Sequence, residues 1–183
     1  MTNNDDYTKL SSSVTVRNYK ELEHKNDKAA ISCFIKERFE ERYFKFIDES
    51  QNVHGFTQLA ICCLVIETLE SFYQGRGNTK NFSAKMFSDF FSRETPLKVF
   101  ASSNNWFYSD IRCGILHQGE TLNGWRIRKS GSLLDNKAKT INAKQFTSEL
   151  RKAVTVYAAQ LIVSVESWKM FKKKMKVICR NCI

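Results

Sequence analysis

Proline is almost missing from this chain, with Pro96 the one residue of its kind in 183. That excludes Pro-rich linkers and argues against a loop-rich all-β architecture. No other stretch reads as an interdomain linker, so one helical domain is expected over 16–178, between a flexible lead-in at 1–15 and a short tail at 179–183. Long apolar runs are missing too. The longest, Leu59 to Ile66, is eight residues, against about 20 for a membrane span. The start, Met1 to Ser13, is polar and carries Asp5 and Asp6 where an export signal would have a basic flank and an apolar core. A cytoplasmic protein without a membrane span is expected.

The six cysteines are too few and too scattered for a disulfide framework. Cys179-x-x-Cys182 lacks the second pair or nearby His that a four-ligand zinc site needs, so no metal and no cofactor are assigned. Gly75-Arg76-Gly77-Asn78 lacks the preceding strand and following Lys of a phosphate-binding loop, and reads as a turn. Acidic side chains are scarce at one end. Residues 123–183 hold 14 Lys or Arg against 3 Asp or Glu, whereas residues 1–122 hold 15 against 16. A polyanion such as RNA suits the basic end through phosphate contacts, although a solvated basic surface has the same composition.

What is present is mostly helical periodicity. From Asp27 to Asp48, the residues Ile31, Phe34, Ile35, Phe39, Tyr43, Phe46 and Ile47 recur at spacings near three and four, which predicts an amphipathic helix. Gly55 to Gln74 is apolar nearly all round in its middle and predicts a buried helix, with Glu67 and Glu70 read as a solvated end and His54 as a surface or capping residue. Ser83 to Arg93 predicts a short helix stopped before Pro96. Asn142-x-x-Gln145 is a helix start, with Gln145 able to reach back to Asn142. The stripe Phe146, Leu150, Val154, Tyr157, Leu161, Val165 and Trp168 predicts one helix to about Met170. Between Trp125 and Leu134 the pattern predicts a short β-hairpin.

The stretch Tyr108 to Glu120 places a fixed cation, Arg112, and a titratable imidazole, His117, in one helical segment that Gly119 terminates. At about 100° per residue the two side chains point roughly 140° apart, so one helix cannot aim both at one atom. A second copy can supply the missing half. Gly114, inside the helix, costs about 1 kcal/mol relative to Ala. Close approach of another backbone accounts for such a residue, and a helix-to-helix dimer contact is expected there. Asp110 shares the His117 stripe and is a candidate to orient the imidazole. Tyr108, four residues before Arg112, is a candidate to buttress the guanidinium.

Arg112-Cys-Gly-Ile-Leu-His117 resembles the R-x4-H motif of the HEPN superfamily, and the likeness extends over roughly Gly55 to Trp168. The resemblance implies an all-α, HEPN-like helical bundle, here with a short β-hairpin insertion after the motif helix. It also implies a metal-independent ribonuclease whose active site forms where two motifs meet across a homodimer. Phage defence or a toxin-like role follows from the same likeness, with a protein regulator or antitoxin as a further partner. Gly119 stands where the toxin branch carries a modified Tyr, so that form of regulation is not implied.

The residue types suit the chemistry. RNA cleavage without metal needs a base for the 2′-hydroxyl, an acid for the leaving 5′-oxygen and a cation for the charge on phosphorus. His can be acid or base near neutrality, and Arg can grip two phosphate oxygens. Just beyond, Trp125, Arg126, Arg128 and Lys129 offer a stacking plane and phosphate ligands for single-stranded RNA; packing of Trp125 in the core, with the cations merely solvated, is the alternative. Rival functions are a non-catalytic HEPN-type module binding RNA or a nucleotide, and a protein-binding partner of a toxin-like system.

Overall fold

The computed structural model describes residues 7–49, 54–93 and 96–182. The expected break at Ser50-Gln51-Asn52, the first part of the lead-in and the last residue of the tail lie outside them. The chain is mainly helical with one small three-stranded sheet. Its contacts divide into two compact units, each assembled from separate chain segments: 7–46, 71–78 and 154–182 in the first, 47–49, 54–70 and 79–153 in the second.

The first unit opens with a segment expected to be flexible that is instead strapped down. Leu10 and Val14 are buried, and Glu37 accepts hydrogen bonds from the Ser13 backbone at 3.0 Å and the Ser12 hydroxyl at 2.6 Å. Thr15 then caps α1 (Val16–His24) reciprocally with Asn18. Asp27 caps α2 (Lys28–Phe39) by accepting from Ala30 N at 2.9 Å.

From Phe39 the helix widens into a π turn, Glu40–Phe44, before α3 (Lys45–Glu49). A π turn advances five residues where an α turn advances about four. The buried stripe therefore runs from Phe39 to Phe44, and Phe46, expected on the apolar face, is 58% exposed. Around the core the rings interlock. Tyr19 meets Phe34 and Phe171 at 6.1 Å each, and Phe72 stacks on Phe171 at 5.7 Å.

In the second unit, α4 (Gly55–Tyr73) carries most of the apolar surface, and its last three residues pass into the first unit. His54 acts as the expected cap, its Nδ1 accepting from Phe56 N at 3.3 Å. By length and composition α4 is apolar enough to cross a membrane, yet its most apolar window is 61% buried within the protein. Leu59, Cys62, Cys63, Val65, Ile66 and Leu69 line the core. Glu70, expected to be solvated, is fully buried and takes two hydrogen bonds from Arg93, at 2.7 and 3.0 Å.

Beyond α5 (Ser83–Phe91) and a 3-10 turn at Pro96–Phe100, the chain turns at Asn105 in the left-handed region, φ 50°, with its amide held by Ala84 O at 2.7 Å. The motif helix therefore starts after Asn105. It comprises a second π stretch, Phe107–Arg112, and α6 (Cys113–Gln118). Phe107 anchors it, against Phe91 at 4.9 Å and stacked on Phe146 at 5.4 Å.

The expected hairpin does not form. β1 (Arg126–Arg128) pairs in parallel with β3 (Thr140–Asn142), and β2 (Leu134–Asp135) pairs antiparallel on the other side of β3. Parallel neighbours need a long crossover, which the 129–139 segment supplies. Asn142 caps α7 (Ala143–Val163), accepting from Lys144 N and Gln145 N. The Gln145 side chain reaches Gly131 O at 2.9 Å and not back to Asn142.

The expected single long helix ends at Val163. Ser164 is extended, φ −98° and ψ 118°, and its hydroxyl caps α8 (Val165–Arg180) by accepting from Ser167 N. Val165, placed by periodicity in the buried stripe, is 78% exposed. A capping Ser in a run of β-branched residues favours this break.

Candidate Arg–His site

The second π stretch governs how the motif's side chains are presented. Cys113 N donates to Tyr108 O, five residues back, which places Tyr108 and Cys113 one π turn apart. The Tyr108 hydroxyl titrates above its ordinary value because it is partly desolvated and bonds the Cys113 side chain. Arg112 follows on the same wide turn, its guanidinium carbon 5.4 Å from the Tyr108 ring centroid. The Tyr108 ring thus lies against the guanidinium.

The other anchor of Arg112 comes from α4. Glu67, which sequence reasoning took for a solvated residue, accepts from Arg112 Nη2 at 3.3 Å. Its other oxygen accepts from Thr79 Oγ1 at 2.8 Å and Ser83 Oγ at 2.7 Å. The Arg112 and Glu67 side chains are only 16% and 17% exposed. Two hydroxyls thus hold the carboxylate, and the carboxylate and a ring hold the cation. Forty-five residues separate the ionic partners. The sequence signal for Glu67 was a carboxylate interrupting an otherwise apolar helix.

His117 differs in kind. It lies exposed on the last turn of α6, without a hydrogen-bond partner among the described residues. Gly119 ends the helix in the left-handed conformation, φ 69°, as its sequence position implies. Asp110 does not orient the imidazole. Its carboxylate accepts from Ser109 Oγ at 2.8 Å, and its carbonyl from Leu122 N at 2.8 Å.

Gly114 also has a different neighbour from the one expected. A Cβ there would lie 2.5 Å from Glu120 O and 3.3 Å from Thr121 Cα, so the backbone that needs the glycine is this chain's own return loop.

The cations past the motif separate from the tryptophan. Trp125 is buried and stacks on Trp106, ring centroids 4.0 Å apart and planes 8° from parallel, so its face is occupied and packing explains it. Arg126 and Arg128 are exposed and share one face of β1, with Ile127 turned the other way; Lys129 is exposed beyond them. Arg126 also donates to Ala138 O at 3.0 Å. Among the described residues no group of three His, Cys, Asp or Glu is placed to hold a metal ion, and Cys179, with its thiol pushed up to about 11 by burial and then by Cys182, is a core residue.

Comparison with family models, with curated proteins and with solved structures finds no match for the chain.

Proposed function

We propose that this protein is a HEPN-type, metal-independent endoribonuclease that cleaves single-stranded RNA as a homodimer. The observation that carries the proposal is the contrast on one short helix between a cation fixed on two sides and an exposed imidazole with no hydrogen-bond partner among the described residues. Arg112, held by Glu67 and Tyr108, is preorganised to meet charge developing on a phosphate. His117 is accessible for proton transfer to or from the 2′-hydroxyl or the leaving 5′-oxygen. The two diverge on one chain, so the complete set is built from two copies. Arg126 and Arg128 supply an exposed face for the backbone of the strand. Cleavage then leaves a 2′,3′-cyclic phosphate and a 5′-hydroxyl. A defence or toxin-like setting, with a regulating protein partner, follows from the HEPN likeness alone.

The Arg112–Glu67 ion pair favours a second reading, in which the guanidinium is structural and the protein binds RNA without cutting it. One experiment separates the two. Wild type, Arg112→Ala and His117→Ala are incubated with mixed RNA and with single-stranded DNA in EDTA, the ends are analysed, and light scattering reports the oligomer. The ribonuclease reading requires RNA cut to cyclic phosphates by a dimer, DNA intact and both variants silent. Salt-dependent RNA binding with no cleavage establishes the second reading.

A further inference from the structure

Away from the Arg–His site, the first unit contains a cavity of about 530 Å³ between α1 and α8. Five cations ring it: Lys20 from α1, and Lys172, Lys173, Lys176 and Arg180 from α8. Glu23 is the one carboxylate in the lining. Lys172, Lys176 and Arg180 recur every four residues and so share one stripe of α8, about 12 Å long at 1.5 Å per residue. Like charges at that spacing repel and destabilise a helix. An anion laid along the stripe removes the repulsion.

The floor of the cavity is of a different chemistry. Tyr19 and Cys179, both buried, form it. Tyr19 is 1% exposed, and its hydroxyl lies beside the Glu23 carboxylate of the same lining. A second cavity, of about 450 Å³, lies over the turn Gln74–Asn78 and is lined by Arg76 and again by Lys173. Gly75, at φ 62°, lets that turn approach the Lys173 side chain within 3.2 Å of where a Cβ would stand. The row of cations thus continues from α8 to the turn.

We propose that this groove binds a small organic polyphosphate, a molecule with at least two linked phosphates on an apolar body. The phosphates lie along Lys172, Lys176 and Arg180 and reach Lys173, while the apolar body rests on Tyr19 and Cys179. Charge sets the number of phosphates. The lining is positive by four; in a linked chain the terminal phosphate carries about −1.5 to −2 and each inner one about −1, so two or three phosphates match it. The volume lies within the range of about 300–1,000 Å³ typical of small-molecule sites. None of these residues belongs to the Arg112–His117 site, so the inference stands apart from the ribonuclease proposal.

Isothermal titration of the full chain with adenosine triphosphate, inorganic tripolyphosphate, inorganic phosphate and a short RNA oligonucleotide tests it. Saturable binding of adenosine triphosphate is expected, several-fold tighter than tripolyphosphate and at least about tenfold tighter than phosphate, as hydrogen bonds to charged groups are each worth about tenfold or more. Lys172→Glu with Lys176→Glu should weaken it at least about tenfold. Lys137→Glu with Lys144→Glu should leave it unaltered. No saturation by about 1 mM, tripolyphosphate bound as tightly as adenosine triphosphate, or indifference to the α8 reversal overturns the proposal. Binding of the RNA alone, lost in the α8 variant, overturns it in favour of a nucleic-acid track.

Discussion

The two π turns use one backbone device for different ends. In Glu40–Phe44 the extra residue per turn brings Phe44 into the core below Phe39 and releases Phe46 to solvent. In Phe107–Arg112 it keeps Phe107 and Ile111 buried while Tyr108, Cys113 and Arg112 gather beside Glu67. A widened turn has no function of its own; the side chains that fall on it decide whether it serves packing or a polar site.

The comparison breaks most visibly through activity. On the ribonuclease proposal, Arg112→Ala and His117→Ala should each cut RNA cleavage by about 10²–10⁴ while circular dichroism shows an intact fold; cleavage that survives in both removes the proposed catalytic role from the second turn. Phe44→Ala should do the opposite, costing about 3–5 kcal/mol in chemical denaturation. Equal destabilisation by Arg112→Ala would make both turns structural. Gly114→Ala should cost about 1–3 kcal/mol, because its Cβ has to displace the loop at Glu120; a neutral result would mean that the loop yields freely.

The smallest effect concerns the strap on α2 just before the first π turn. Burial works against the Glu37 carboxylate, but hydrogen bonds from Ser12 and Ser13 prevail and hold its pKa below the ordinary value. A depressed folded pKa stabilises above the unfolded value and is lost as pH falls through the folded one. Below about pH 4 the wild type should therefore lose up to about 1 kcal/mol more than Glu37→Gln does. Parallel pH profiles in thermal melts would show that the strap contributes nothing through Glu37.

These differences mark what sequence carried. Stripes such as Ile31, Phe34, Ile35 and Phe39, and helix ends such as Asn142 and Gly119, are legible because they are local periodicities and local hydrogen bonds. A π turn is not, since its register is set by which side the core accepts. The break at Ser164 was visible only as a Ser among β-branched residues, outweighed by a stripe that continued in phase. The parallel pairing of β1 with β3 and the Glu67–Arg112 pair depend on residues distant in sequence, and no spacing rule connects them. Arg112 and His117 were found by type and spacing; Glu67, which fixes one of them, was not.

The interleaving of the two units bears on the order in which the chain can fold as it leaves the ribosome. Every segment of the second unit has been made once residue 153 has emerged, whereas the first unit needs 154–182 to meet α1 and α2, which are made before any of the second unit. Those two helices therefore wait, with Phe34 and Ile35 incompletely covered, until 154–182 have followed. A nascent chain stalled near residue 160 should be guarded by chaperones at α1 and α2 and not at its newest residues.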